Sequence, residues 1–100
     1  MKSKILALLG FAAKAGKLSY GAEAARSALY GKRANLILAG CDVSPKTLKE
    51  ITFHSNKCDV ELRMLDDIDI ITLSNAVGRK CGVLAVNDSS FAEAIIKLTD

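Results

Sequence analysis

The sequence has no tryptophan, one proline and one histidine, and its aromatic residues are three Phe and two Tyr. Each shortage excludes something. So few rings give no platform for stacking a single nucleic-acid strand beyond Tyr20 and Tyr30. The lone proline, Pro45, sits at a helix start, so no proline-rich linker divides the chain. The lone histidine, His54, lies in a polar helical segment with no nucleophile near it in sequence. His54 and Cys58 are four residues apart and share a helix face, but two ligands without a CxxC partner are a weak zinc pattern, and a structural role is the stronger reading. Three cysteines, Cys41, Cys58 and Cys81, are odd in number and widely spaced. They do not build a disulfide framework and fit free, buried thiols in a reducing cytoplasm. No apolar run reaches the roughly 18 residues of a membrane span.

Catalytic signatures are also missing. The phosphate-loop pattern GxxxxGK with Ser or Thr does not occur, nor does GxGxxG after a strand, nor a GxSxG elbow. Asp66, Asp67 and Asp69 cluster without the glycine and glutamate of a calcium loop, and read instead as charges at a helix N-terminus. Cys41 beside Asp42 is the best-placed nucleophile, since ligands bind at strand C-terminal ends in open α/β sheets. Burial beside a carboxylate disfavours the thiolate that reactivity requires. The expectation is a non-enzyme with no catalytic residue, cofactor or metal, and no small-molecule substrate. The N-terminal letters MKSKILALLGFAAKAGK mimic a secretory leader, but Lys14 is an unusual residue inside a cleavage site and cleavage there would remove the lysine-glycine entrance, so an amphipathic first helix is the reading adopted.

What is present suffices for one core. Half of the 100 residues are hydrophobic, and the length suits a single domain spanning 1–100. The net charge of +3 hides an asymmetry. Residues 1–57 hold ten Lys or Arg against Glu23, Asp42 and Glu50, a balance of +7; residues 58–100 hold four against eight acids, a balance of −4. A basic half suits a polyanion, although solvated helix faces would give the same count.

Periodicity predicts five helices and three strands. A helix over 4–15 carries Ile5, Leu8, Leu9 and Ala12, and Gly16 ends it in a left-handed turn. A second helix over 21–30 ends at Gly31. NLILAG over 35–40 is a strand covered on both faces. Ser44 caps and Pro45 opens a third helix. VELRM over 60–64 alternates like an edge strand. A helix over 67–77 ends at Gly78, and GVLAV over 82–86 is a second buried strand. Ser90 with Glu93 reads as a capping box opening the last helix, with Phe91, Ile95 and Leu98 as its apolar stripe. Strand–helix alternation implies a sheet between helical layers.

The segment KAGKLSYGAEAARSALY over 14–30 says most about function. Two lysines and a glycine turn lead toward a short alanine-rich helix. Helix starts expose unpaired N–H groups and a partial positive charge, so an anion is the natural guest. With Lys14 and Lys17 nearby, the guest is phosphate. Gly21 and Ala22 would offer amides, Lys32 and Arg33 would extend a basic track, and Glu23 and Ser27 would touch base or sugar edges. Tyr20 either stacks or packs on the core.

Lys14-Ala15-Gly16-Lys17-Leu18, Gly21, Ala34-Asn35-Leu36, Ala39, Asp42, Ser44-Pro45 and Thr47, followed by Leu73, Ala76-Val77-Gly78-Arg79 and the stretch 83–88, resemble the ribosomal protein L-seven-Ae / L-thirty-e family. The short bacterial YlxQ-like members are the most similar in layout. The resemblance covers nearly the whole chain. It implies an α/β fold, a three-layer α/β/α sandwich with a mixed four-stranded sheet, whose fourth strand lies near 17–19. It also implies binding to structured RNA, with ribosomal RNA as a candidate, at kink-turns, through the glycine turn, the second helix and the loop after the strand over 60–64. Glu23, Ala24 and Ser27 stand where the family often has Asn, Glu and Lys; Arg63 stands where many members have proline, and Ser74 where they have glycine. A protein-interaction adaptor that has lost RNA binding is the alternative these departures favour.

Overall fold

The computed structural model describes residues 2–99; Met1 and Asp100, the outer ends of the expected 1–100 domain, lie outside them. The elements run α1 (Lys2–Lys14), β1 (Leu18–Tyr20), α2 (Ala22–Tyr30), β2 (Leu36–Gly40), α3 (Pro45–Lys57), β3 (Leu62–Leu65), α4 (Ile70–Val77), β4 (Val83–Val86) and α5 (Ser89–Thr99). The sheet order is β1-β4-β2-β3. β2 and β3 are parallel, while β4 runs antiparallel to both β1 and β2. This is the mixed four-stranded sheet of an α/β/α sandwich.

The two central strands show why the layers form. Side chains alternate across a strand, so a strand apolar at every position must be covered twice. Leu36, Leu38, Leu84 and Val86 enter one core with α1, α4 and α5. Ile37, Ala39, Val83 and Ala85 enter the other, beneath α2 and α3. All eight are buried. Each fully buried leucine contributes about 1.5–3 kcal/mol. The second core is made of smaller side chains. Ala25 and Ala28 of α2 meet Ala39 and Ala85 of the sheet, so α2 lies close against it. The apolar letters of the N-terminal segment serve the first core through Ile5, Leu9 and Ala12.

Helix ends follow local chemistry and correct several expectations. α1 closes with left-handed Gly16, Lys17 N–H donating to Ala12 O at 2.9 Å. α2 ends at Gly31, as expected. Gly31 keeps φ −80°, and Lys32 takes the left-handed conformation at φ 60°. Arg33 N–H then reaches Ala28 O at 2.9 Å. Glycine at 31 provides space: a Cβ there would sit 2.4 Å from the Arg33 guanidinium. β3 starts at Leu62 rather than Val60, because Val60 N–H is spent on Ser55 O, finishing α3. α4 begins at Ile70, with Asp69 accepting from Thr72 N–H at 2.8 Å. For α5 the cap is Asp88, which accepts from Phe91 N–H at 2.9 Å, so the Ser90–Glu93 box is not the device used. The expectation of buried thiols holds for Cys81 but not for Cys41, which is exposed. Among the described residues no helix is long and apolar enough to cross a membrane.

Candidate nucleic-acid interface

One edge of the sheet gathers three helix starts. β1, β2 and β3 all end there, and β4 begins there: Tyr20 lies opposite Leu84, Ala39 opposite Val83, and Gly40 beside Leu65. The chain therefore leaves this edge three times, into α2, α3 and α4. Two of these starts are occupied by the protein's own oxygens. Ser44 Oγ accepts from Thr47 N–H at 3.2 Å at the front of α3. At α4, Asp69 is joined by Asp42, whose carboxylate accepts from Ile70 N–H at 2.8 Å. The hydroxyl and amide of Thr72 hold the Asp69 carboxyl below its ordinary pKa. Asp42, considered above as a partner for Cys41, is thus committed to a helix cap.

α2 differs. Its N-cap is Gly21, which has no side chain to offer. Gly21 adopts φ 92°, ψ 161°, a region essentially reserved for glycine. Its N–H donates to Val83 O at 2.7 Å, and its carbonyl accepts the first helical bond from Ala25 N–H at 2.9 Å. The amides of Ala22, Glu23 and Ala24 precede that first bond and have no intrahelical acceptor. Ala22 and Glu23 are exposed. An open depression of about 400 Å³ adjoins Ala22, lined also by Asp42, Ser44, Thr47 and Gly82.

The predicted residues divide into two groups. Tyr20, Gly21, Ala22 and Glu23 stand together at this edge, with Ser27 exposed one turn along α2. Lys17 stands at the far edge, where its carbonyl accepts from Asn87 N–H at 2.7 Å and Leu18 faces Val86. β1 separates it from Gly21 by roughly 13 Å at about 3.3 Å per residue. Lys32 and Arg33 follow the far end of α2 and reach that same edge, since Asn35 N–H donates to Val86 O. Lys14 ends α1 and lines a groove shared with Asn75 and Gly78 of the α4 end. The outward face of α2, residues Ala22, Glu23, Arg26, Ser27 and Tyr30, spans the distance between the two groups.

Sequence reasoning missed a cation beside the strand residue that precedes Gly21. The Arg79 guanidinium lies 4.8 Å from the Tyr20 ring centroid, one residue from Gly21. Tyr20 is half-buried and packs against the larger core, so its ring is shared between core and cation. The loop that carries Arg79 and Lys80 is pinned by Ser74, whose hydroxyl accepts from Cys81 N–H at 3.0 Å and donates to Cys81 O at 3.2 Å. Burial pushes the Cys81 thiol pKa up, against the pull of the Arg79 charge. The available signal was Gly78-Arg79-Lys80 placed just before a buried strand, which returns those cations to the edge where α2 begins.

Comparison with known proteins adds three findings. No family model matches the chain. The RNA-binding protein YlxQ of Bacillus subtilis (strain 168) is 31% identical over 94 residues, covering 93% of this chain and 92% of that protein. The structure of a protein of unknown function from Bacillus halodurans C superposes with a TM-score of 0.91 at 26% identity, covering 97% of both chains. The Giardia lamblia 15.5kD RNA binding protein shares the fold, with a TM-score of 0.79 at 14% identity over 98% of this chain and 83% of its own.

Proposed function

Because the chain belongs to the L-seven-Ae / L-thirty-e family as a YlxQ-like member, we propose that it is a cytoplasmic, ribosome-associated RNA-binding protein that grips structured RNA of the kink-turn type along α2. The observation that carries this reading is the uncapped start of α2, held open by Gly21 beside Arg79. The amides of Ala22, Glu23 and Ala24 hold one phosphate there. Arg79 and Lys80 supply the charge that neutralises it. The ribose-phosphate chain then follows the exposed face of α2, past Ser27. It ends on Lys17, Lys32 and Arg33, whose cations hold further phosphates at the far edge. Lys14 contributes from the α1 side. Glu23 accepts from a base edge, and Tyr20 holds Arg79 in place. The reading assigns no chemistry to the site; the RNA is bound, not converted.

Titration of a kink-turn RNA and a plain duplex at two salt concentrations tests this. The kink-turn should bind more tightly, and both affinities should fall with salt, because phosphate contacts release counterions. Arg79→Glu should weaken binding more than Lys17→Glu, since it acts at the amide end. Ribosome co-sedimentation tests the association. The adaptor reading gains from the exposed carboxylates of Asp66 and Asp67 in the β3–α4 loop and from Glu23 at the amide end. Equal, feeble binding to both RNAs, unchanged in either variant, would establish it instead.

A further inference from the structure

α2 and α3 together carry a ring cluster whose members lie far apart in the sequence. Tyr30, the last residue of α2, sets its hydroxyl 2.7 Å from His54 Nδ1 on α3. Their ring centroids are 5.5 Å apart at 75°. Phe53 stands 5.2 Å from His54 at 80°. Both ring contacts are edge-to-face, so each covers at most one face of one ring and the opposite faces remain for stacking. Tyr30 remains 47% exposed and Phe53 60%. Three of the five Phe and Tyr residues are exposed, and two of these, Tyr30 and Phe53, flank His54.

The surroundings are cationic. Lys49, Phe53 and Lys57 follow at four-residue spacing, which puts them on one face of α3. The Lys57 ammonium lies 5.8 Å from the Phe53 ring centroid. Lys32 and Arg33 follow Tyr30 after Gly31, and Glu50 is the one acid within α3. Rings interleaved with cations suit an unpaired nucleotide, whose base stacks and whose phosphate pairs with lysine. An interface for a protein partner shares the aromatic enrichment but is depleted of lysine, and here Lys49 and Lys57 border the rings.

We propose that Tyr30, Phe53 and His54, flanked by Lys49 and Lys57, form a second RNA contact that stacks unpaired bases. This rests on the RNA-binding reading above and extends it. The ring cluster and the Gly21 amides occupy opposite ends of α2, roughly 13 Å apart at about 1.5 Å per residue. A structured RNA held at Gly21 can therefore pass an unpaired strand along α2 to the rings. The Tyr30–His54 hydrogen bond fixes the two helices' rings relative to each other, so the platform is formed before RNA arrives.

Fluorescence anisotropy with two RNAs tests the proposal: a kink-turn hairpin with a blunt end, and the same hairpin with an oligoadenylate tail. The wild-type protein should prefer the tailed hairpin by about fivefold or more, the gain expected from one base–aromatic stack. Phe53→Ala should erase that preference and leave blunt-hairpin affinity unchanged. Phe53→Tyr should retain it. Thermal melting of Phe53→Ala should match wild type, because the side chain is mostly exposed. Equal wild-type affinity for both hairpins, with blunt binding intact, overturns the stacking proposal alone. Binding to neither hairpin overturns the RNA reading and this proposal with it. A wild-type dimer in sedimentation that Phe53→Ala converts to monomer, with tail preference unmoved, makes the cluster a contact between copies and also overturns it.

Discussion

Gly21→Ala separates the backbone argument from every other feature of the site. An added Cβ at this position meets no heavy atom within 4 Å, so crowding contributes nothing. The cost is conformational. A residue with a side chain held at φ 92°, ψ 161° carries about 1–3 kcal/mol of strain. Alanine also restricts the unfolded chain, which returns about 0.4–1 kcal/mol. The alternative is to rotate the peptide and lose the 2.7 Å bond from Gly21 N–H to Val83 O, which is worth about 0.5–1.5 kcal/mol. The strain route leaves a net loss of up to about 2.6 kcal/mol and the rotation route one of up to about 1 kcal/mol. The cheaper route sets the outcome, so the melting temperature falls by up to about 4–8 °C. Gly16→Ala is the control. Its φ of 71° lies in the left-handed helical region that side chains tolerate better, and its Cβ also meets nothing within 4 Å. The order of stability should be wild type, then Gly16→Ala, then Gly21→Ala. Either strain or rotation displaces the amides of Ala22 and Glu23, so RNA affinity of Gly21→Ala should fall about tenfold or more, the loss of one charge-assisted hydrogen bond. Circular dichroism melts and RNA titration read both quantities. A Gly21→Ala variant that melts and binds like wild type would refute the reasoning.

Three further outcomes follow from the same geometry. Ser74→Ala removes the partner of Cys81 N–H, so it should cost about 1–3 kcal/mol in chemical denaturation and weaken RNA binding by loosening the Arg79 loop. Lys32→Gly relieves a left-handed lysine at φ 60°, and should raise stability by about 0.5–1 kcal/mol in the same assay while reducing RNA affinity through the lost charge. The Asp69 carboxyl has a folded pKa below its ordinary value of 3.8, so its stabilising effect is complete above that value and is lost as pH falls through it toward the folded pKa. Asp69→Asn keeps a cap oxygen but should flatten that part of an acid-side stability profile.

Apolar runs and helix signals were legible because they follow from burial and capping alone. NLILAG and GVLAV had to hold central strands, since Leu36–Gly40 and Val83–Val86 are runs of five and four apolar or small residues that need cover on both faces. Ser44-Pro45 had to open a helix. β1 was not legible from periodicity: three residues are too few to show alternation, and only the resemblance suggested a strand there. The cap of α5 was misread because Ser90, a typical capping residue, stands beside Asp88, which the structure uses instead. Gly31 was rightly read as the end of α2, but the left-handed conformation at Lys32 was not legible. The site was half legible. Gly21 and its amides could be read from a turn before a helix. The distance that β1 puts between them and Lys17 could not, nor could the arrival of Arg79 on Tyr20 or of Phe53 beside Tyr30, because each depends on how distant segments pack.

Amide chemical shifts during titration with a kink-turn RNA test the central claim most directly, because the amides themselves are the proposed ligands. The largest changes should fall on Ala22, Glu23 and Ala24, with the Arg79 side chain moving at the same RNA concentrations and smaller changes at Lys32 and Arg33. Shifts confined to the far edge of the sheet, with the first turn of α2 unmoved, would contradict it.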